Sequence, residues 1–154
     1  MGRADETVKV VVRIRPLSSD EVRNGNIKTT SAEPQHGLIV VRNPKADDRE
    51  QPKYFTFDHV FGENADQKFI YDSCMSGVVD ACLEGFNGTV FAYGQTGSGK
   101  THTMEGKPDS PELRGVIPNS FQHIFDHIAL SEGAHYFLYK CICFLAACCF
   151  HMKA

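Results

Sequence analysis

Residues 94–101 read Gly94-Gln95-Thr96-Gly97-Ser98-Gly99-Lys100-Thr101, a full match to the phosphate-loop pattern G-x-x-x-x-G-K-[ST]. Each residue type in it has a physical task. The glycines let the backbone wind into a tight nest whose N–H groups, those of Gln95, Thr96 and Ser98 among them, point inward at phosphate oxygens. Lys100 supplies a cation that reaches the outer phosphates. Thr101 supplies a hydroxyl for a Mg²⁺ ion that bridges them. A helix starting near Gly99 adds its positive dipole end. The ligand this chemistry describes is a nucleoside triphosphate with Mg²⁺.

Such a loop needs a strand before it and a helix after it. Asn87-Gly88 is a turn signal, and Thr89-Val90-Phe91-Ala92-Tyr93 is rich in β-branched and aromatic residues, as a buried strand should be. A Gly/Ser linker is the competing reading. Linkers are rarely led in by an apolar strand or closed by Gly-Lys-Thr. Beyond the loop, residues 101–105 are expected to be helical, and residues 106–115 form a loop with two prolines. A second helix restarts near Pro118, a favourable first-turn position. Phe121, Ile124, Phe125 and Ile128 share one face of it, which predicts burial of that face. His123 and His127 lie four apart on the same helix. Without a carboxylate of the His-Glu-x-x-His kind between them, they read as solvated or hydrogen-bonded rather than metal-binding.

Upstream, residues 8–15 alternate as a strand that Pro16 stops. Residues 17–52 are polar and turn-rich, with 38–41 as their only short strand candidate. Residues 54–61 form a second alternating strand, closed by Gly62. Asn64 to Gln67 looks like a helix cap with a capping-box partner. Phe69, Ile70, Met75, Val78, Val79, Cys82 and Leu83 then recur at helical spacing as far as Gly85. Cys74 and Cys82 fall on this helix, the latter on its core face. Strands and helices in this order describe an α/β fold of the P-loop NTPase type, a central mixed sheet flanked by helices.

The chain has 154 residues, 42% hydrophobic and 23% charged, which fits a single globular domain. A net charge of −3 argues against nucleic-acid binding. The polar start is no signal peptide, and Glu6 stands where a myristoylation motif prefers Ser or Thr. The six cysteines then read as reduced thiols of a cytosolic protein.

Four blocks together resemble the N-terminal part of a kinesin motor domain. They are Val-Lys-Val-Val-Val-Arg-Ile-Arg-Pro-Leu (8–17), Phe-Thr-Phe-Asp-His-Val-Phe-Gly (55–62), the run from Gly85 to Met104 that contains the phosphate loop, and Arg-Gly-Val-Ile-Pro-Asn-Ser-Phe (114–121). The run from Pro111 to Phe121 is most similar to the heterotrimeric kinesins of ciliary transport. The resemblance implies ATP with Mg²⁺ as ligand, a microtubule-stimulated ATPase activity, microtubules as track, and partner subunits in the full-length protein. It implies a cytoplasmic location on the microtubule cytoskeleton, and the cilium for that subfamily. It also implies further contacts. Arg13, Arg15 and Pro16 match the family's Arg-x-Arg-Pro strand end beside the adenine and ribose. Pro16 would offer an apolar face and Arg13 a planar cation for stacking. A solvated strand end is the competing reading for Arg15. His102 matches a position that packs on the base from the other side. Residues 106–115 match a family insertion of variable length beside the pocket.

The departures define the limits. Asn-x-x-Ser-Ser-Arg and Asp-Leu-Ala-Gly-Ser-Glu, the family's two switches, are absent from these residues. They sense the γ-phosphate and position the attacking water. No catalytic residue is therefore assigned, and the chain is expected to hold a nucleotide without hydrolysing it. The microtubule-binding surface is likewise expected to be missing. Residues 1–133 read as the nucleotide-binding half of a motor domain. Residues 134–154 read as a divergent apolar, cysteine-rich tail, from an alternative exon or a read-through on a truncated motor. Residues 136–138 could begin the strand the family places there, and beyond Tyr139 the resemblance ends. The ten apolar residues 141–150 are too few to span a bilayer, which takes about twenty. A fragment of this kind leaves the edges of the strand before the phosphate loop open and predicts marginal stability. A non-catalytic isoform with an interaction or regulatory role is the alternative function.

Overall fold

The computed structural model describes residues 8–45, 47, 50–107, 109–131, 140–144 and 149–153. It divides into two units, residues 1–65 and 66–154. Both mix strands and helices, so the α/β class is as expected, with the strands distributed over three sheets.

In the first unit, β1 (Val11–Arg13) pairs in parallel with β5 (His59–Phe61), Val12 opposite Val60. Three further strands, β2 (Thr30–Glu33), β3 (Leu38–Val41) and β4 (Lys53–Thr56), form an antiparallel meander with β3 at its centre. Among the described residues of the first unit, Ile39 and Val40 on β3 and Val60 and Phe61 on β5 are buried, as β-branched and aromatic side chains on paired strands should be. The expected strand 8–15 is shorter, although backbone bonds prolong its pairing: Asp58 N–H donates to Val10 O and Ile14 N–H to Phe61 O. The expected single strand 54–61 is in fact two. Phe57 N–H donates to Gly37 O at 2.8 Å, beside the meander, and Asp58 Oδ2 accepts from Val10 N–H at 2.7 Å, beside β1. The chain changes sheets between these two residues. An alternating pattern runs through such a step unbroken, because it reports the pleat and not the partner.

The first unit also holds α1 (Ser19–Arg23), with a full capping box. Ser18 Oγ accepts from Glu21 N–H, and the Glu21 carboxylate accepts from Ser18 N–H.

The second unit opens with α2 (Gln67–Ile70), whose N-cap is Asp66 rather than Asn64. The Asp66 carboxylate accepts from Phe69 N–H. A π-helical turn (Tyr71–Met75) leads into α3 (Ser76–Leu83). Phe69, in α2, is exposed, and Tyr71, the first residue of the π turn, is buried in the core. The strand before the phosphate loop is β6 (Gly88–Phe91). It is half-buried, with Gly88 and Val90 turned inward and Thr89 and Phe91 outward, rather than buried throughout. Its edges were expected to be open. One of them is occupied, for β8 (Cys149–Lys153) pairs with it antiparallel, Val90 opposite Phe150, and β7 (Lys140–Phe144) pairs with β8. The strand start expected at 136–138 lies outside the described residues.

Helix α4 (Lys100–Met104) follows the phosphate loop, and α5 (Val116–Leu130) closes the described helical part. Tyr71, Val79, Cys82, Met104, Val116 and Ile124 form one buried cluster, with Val90 and Ala92 packed against it. Cys82 is therefore a core side chain, and Cys74 Sγ–H donates to Ile70 O. The face of α5 predicted from spacing is only partly right. Ile124 is buried, but Phe125 is 62% exposed and Phe121 and Ile128 also reach the surface. The buried line is instead Val116, Ser120, Ile124, spaced four apart. Ser120 tolerates burial because its hydroxyl donates to Val116 O at 2.8 Å. His123 is held on both sides, by Tyr71 Oη at Nδ1 (3.0 Å) and Asp80 at Nε2 (3.2 Å), as a hydrogen-bonded histidine should be. Burial pushes the Tyr71 phenol up to about 12.

Among the described residues, no helix is long and apolar enough to cross a membrane.

Candidate functional site

Strand β6, the loop 94–99 and helix α4 stand in the order that the phosphate-loop motif demands. The loop is shaped by its own residues. Gly99 has φ +98°, a left-handed conformation that side chains with a Cβ rarely adopt, and it is the N-cap of α4. A Cβ on Gly94 would lie 2.5 Å from Ser98 Oγ, inside the space the loop encloses. Ser98 N–H donates to Gln95 O at 3.1 Å, which tightens the turn. Helix α4 begins at Lys100, so the amides of Lys100, Thr101 and His102 belong to a first turn that no intrahelical carbonyl can satisfy. Thr103 N–H is the first to bond back, to Gly99 O at 3.0 Å.

Lys100 is half-buried, and its ammonium folds over the loop, donating to Gly94 O at 2.9 Å and Gln95 O at 3.0 Å. A cation, the first-turn amides of a helix and the Thr101 hydroxyl thus collect within eight residues. That donor set fits a polyphosphate with a hard divalent cation, which favours oxygen ligands. Thr101 and His102 are both exposed, as are Gln95, Thr96 and Gly97. Two anchors hold α4 from behind. Met104, its last residue, is buried in the core cluster. Gln67 Nε2, from the start of α2, donates to His102 O at 2.5 Å.

Arg13, Arg15 and Pro16 belong to the first unit. Arg13 is half-buried and its Nη2 donates to Ala65 O at 3.1 Å. Arg15 forms a two-pronged ion pair with Glu21, at 2.7 and 2.5 Å, and also donates to Pro16 O at 2.9 Å. Pro16 is exposed. The Arg15 guanidinium and the Ser18 amide hold the Glu21 carboxyl down to about 2, and the same bond raises Arg15. The Glu21 shift is downward, so whatever stability this pair gives is complete above the ordinary carboxylate value of 4.5. It is lost as pH falls through about 2. Carbon-13 NMR titration is expected to place the Glu21 midpoint near 2 in the unaltered chain, and to find it raised in Arg15→Ala but still held below 4.5 by the Ser18 amide. An unchanged midpoint in that variant would show that Arg15 is not the cause.

Two residues with structural roles at these places were not found from spacing. Glu21 could have been, because Ser18-Ser19-Asp20-Glu21 is the capping-box pattern and it sits beside Arg15. Gln67 was expected as the capping-box partner of Asn64, but Asp66 is the N-cap and the Gln67 side chain turns instead to His102 O, 35 residues away, for which no local signal exists.

The family model for the kinesin motor domain matches residues 13–145. The chain is similar to kinesin-like protein KIF3C of Mus musculus, 49% identical over 134 residues, which cover 87% of this chain and 17% of that protein. The match to kinesin-like protein KIF3C of Bos taurus has the same identity and coverage. Kinesin-like protein klp-20 of Caenorhabditis elegans is 44% identical over 135 residues, covering 88% of this chain and 21% of that protein. The chain therefore spans about a fifth of the length of the curated relatives it matches.

Proposed function

Since this chain belongs to the kinesin motor-domain family, we propose that its 154 residues are the ATP-gripping part of a microtubule motor. The observation that carries this reading is the Lys100 ammonium folded over the loop at Gly94 and Gln95, with the first turn of α4 opening beside it. On binding, the ammonium exchanges those two carbonyls for phosphate oxygens. Backbone amides from Gly94 to Thr101 cradle the phosphates, and Thr101 Oγ1 stands as a ligand for Mg²⁺. Bound Mg²⁺ would neutralise charge on the outer phosphates. His102, Arg13 and Pro16 are proposed to border the base, by the family's pattern. Arg15 serves there through its ion pair with Glu21, which fixes the strand end.

Neither switch sequence of the family occurs in these residues. As a polypeptide of this length, the chain is proposed to bind nucleotide without turning it over. The microtubule track, the partner subunits and a cytoplasmic, microtubule-associated location are proposed for the whole protein on the strength of the family and of the KIF3C matches.

The test is titration with a fluorescent ATP analogue. Saturable binding that tightens with Mg²⁺ is expected, and Thr101→Ala should remove most of the Mg²⁺ dependence. Binding that ignores Mg²⁺ in the unaltered chain would sink the metal assignment. Phosphate release should stay at background with and without microtubules, and stimulation by microtubules would refute the lack of turnover.

A further inference from the structure

We propose that Gln67 is a positioning residue for the phosphate loop, locking helix α4 to the 106–115 loop so that nucleotide affinity depends on its carboxamide. The inference rests on the phosphate-binding reading above.

Gln67 is the first residue of α2 and is only 5% exposed. A carboxamide taken out of water needs partners. Its Nε2 donates to His102 O at 2.5 Å and approaches Leu113 O at 3.4 Å. Both acceptors are backbone carbonyls, so the NH₂ end of the side chain must face them.

Backbone bonds also hold the end of α4 and the loop that follows it. Glu105 N–H and Gly106 N–H both bond to Thr101 O, at 2.8 and 3.1 Å, and Lys107 N–H bonds to Leu113 O at 2.8 Å. Gln67 supplies His102 O with a donor from another helix. Gly106 leaves room for it, since a Cβ there would stand 2.9 Å from Nε2. One NH₂ group therefore ties the start of α2, the body of α4 and the far end of the 106–115 loop.

His102 lies two residues beyond Lys100. Fixing its peptide plane fixes the direction of α4, and with it the aim of the first-turn amides and of the Lys100 stem. Small changes of direction matter in a site built from oriented N–H groups.

The experiment compares the full chain with Gln67→Leu, which keeps the bulk and removes the donor, and with Ile70→Val. Ile70 is 2% exposed in the same helix, and its side chain has no hydrogen-bonding group. Titration with the fluorescent ATP analogue is expected to give a Kd about tenfold higher for Gln67→Leu, the effect of about one hydrogen bond. Ile70→Val should lower the thermal midpoint and leave Kd alone. Gln67→Glu, which sets an acceptor against two carbonyls, should weaken binding more than Gln67→Leu, with partial recovery at low pH when the carboxyl can donate. A folded Gln67→Leu with the Kd of the unaltered chain overturns the inference, as does an equal rise of Kd in Ile70→Val. Should the Gln67 variants fail to fold, the side-chain amide resonance of Gln67 in the unaltered chain decides: a shift on saturation with ATP·Mg²⁺ supports the coupling, and an unmoved signal overturns it. An unaltered chain that binds no analogue removes the phosphate-binding reading itself, a different outcome from a Gln67 variant that binds normally.

Discussion

Lys100→Ala is expected to raise the Kd for a fluorescent ATP analogue about 100-fold in the presence of Mg²⁺, since hydrogen bonds to charged groups contribute about 1.5–3 kcal/mol each and about 1.4 kcal/mol is tenfold. The Lys100 ammonium is the single full positive charge of the loop 94–101. Its two bonds, to Gly94 O and Gln95 O, hold it over the space that phosphate oxygens would take. Removing it leaves the backbone amides in place, so weak binding should survive and the fold should persist. Lys100→Arg keeps the charge but replaces a compact ammonium by a planar fork, and should recover only part of the affinity. Raised salt should weaken the unaltered chain more than the alanine variant, because one charge contact is missing from the latter. Equal Kd values for Lys100→Ala and the unaltered chain would end the proposal that these residues grip ATP, and leave the family membership as descent alone.

Met104→Ala is the second large effect, this time on stability. Met104 is 2% exposed and sits at the junction of α4 with Tyr71, Val79, Cys82, Val116 and Ile124. Truncating a buried Met to Ala typically costs about 2–5 kcal/mol, the spread reflecting how far the cavity collapses. At roughly 2–4 °C per kcal/mol for a chain of this size, the thermal midpoint should fall by about 5–15 °C. Calorimetry on both chains reads it directly. A change of less than about 0.5 kcal/mol, the usual range for surface sites, would mean that the cluster is loosely packed. That outcome would favour the marginal, partly ordered state expected from the sequence over the close-packed core of the structure. Met104 is also the rear anchor of α4, so its loss should weaken nucleotide binding in step with stability, unlike the loss of Lys100.

Most of the site was legible because its chemistry is local. Gly94 to Thr101 are contiguous, and each contributes through its own backbone or the nearest turn, so spacing alone carries the geometry. The same holds for the short strand Leu38–Val41, which forms as β3; the Ser18–Glu21 capping box is equally local, but its pattern was passed over. Features that depend on a distant partner were not legible. The run 54–61 keeps its alternation while changing sheets, since pleating says nothing of which strand lies alongside. The exposure of Phe121 and Phe125 was hidden because helical spacing marks a face that could be covered, and only packing shows what covers it. The π turn at Tyr71–Met75 defeats any fixed period through α2 and α3.

The amino-acid sequence by itself determined the kinship and the form of the loop 94–101, because glycines, a lysine and a threonine in fixed order specify a backbone shape and a charge. Only the tertiary structure decided what holds that shape in place. Gln67 reaches His102 O across 35 residues of chain, Met104 enters a core shared by three helices, and β8 lies along the edge of β6. Each of these satisfies a carbonyl, fills a space or pairs a strand that arises only once the chain has folded back on itself, and no local pattern of residues records it.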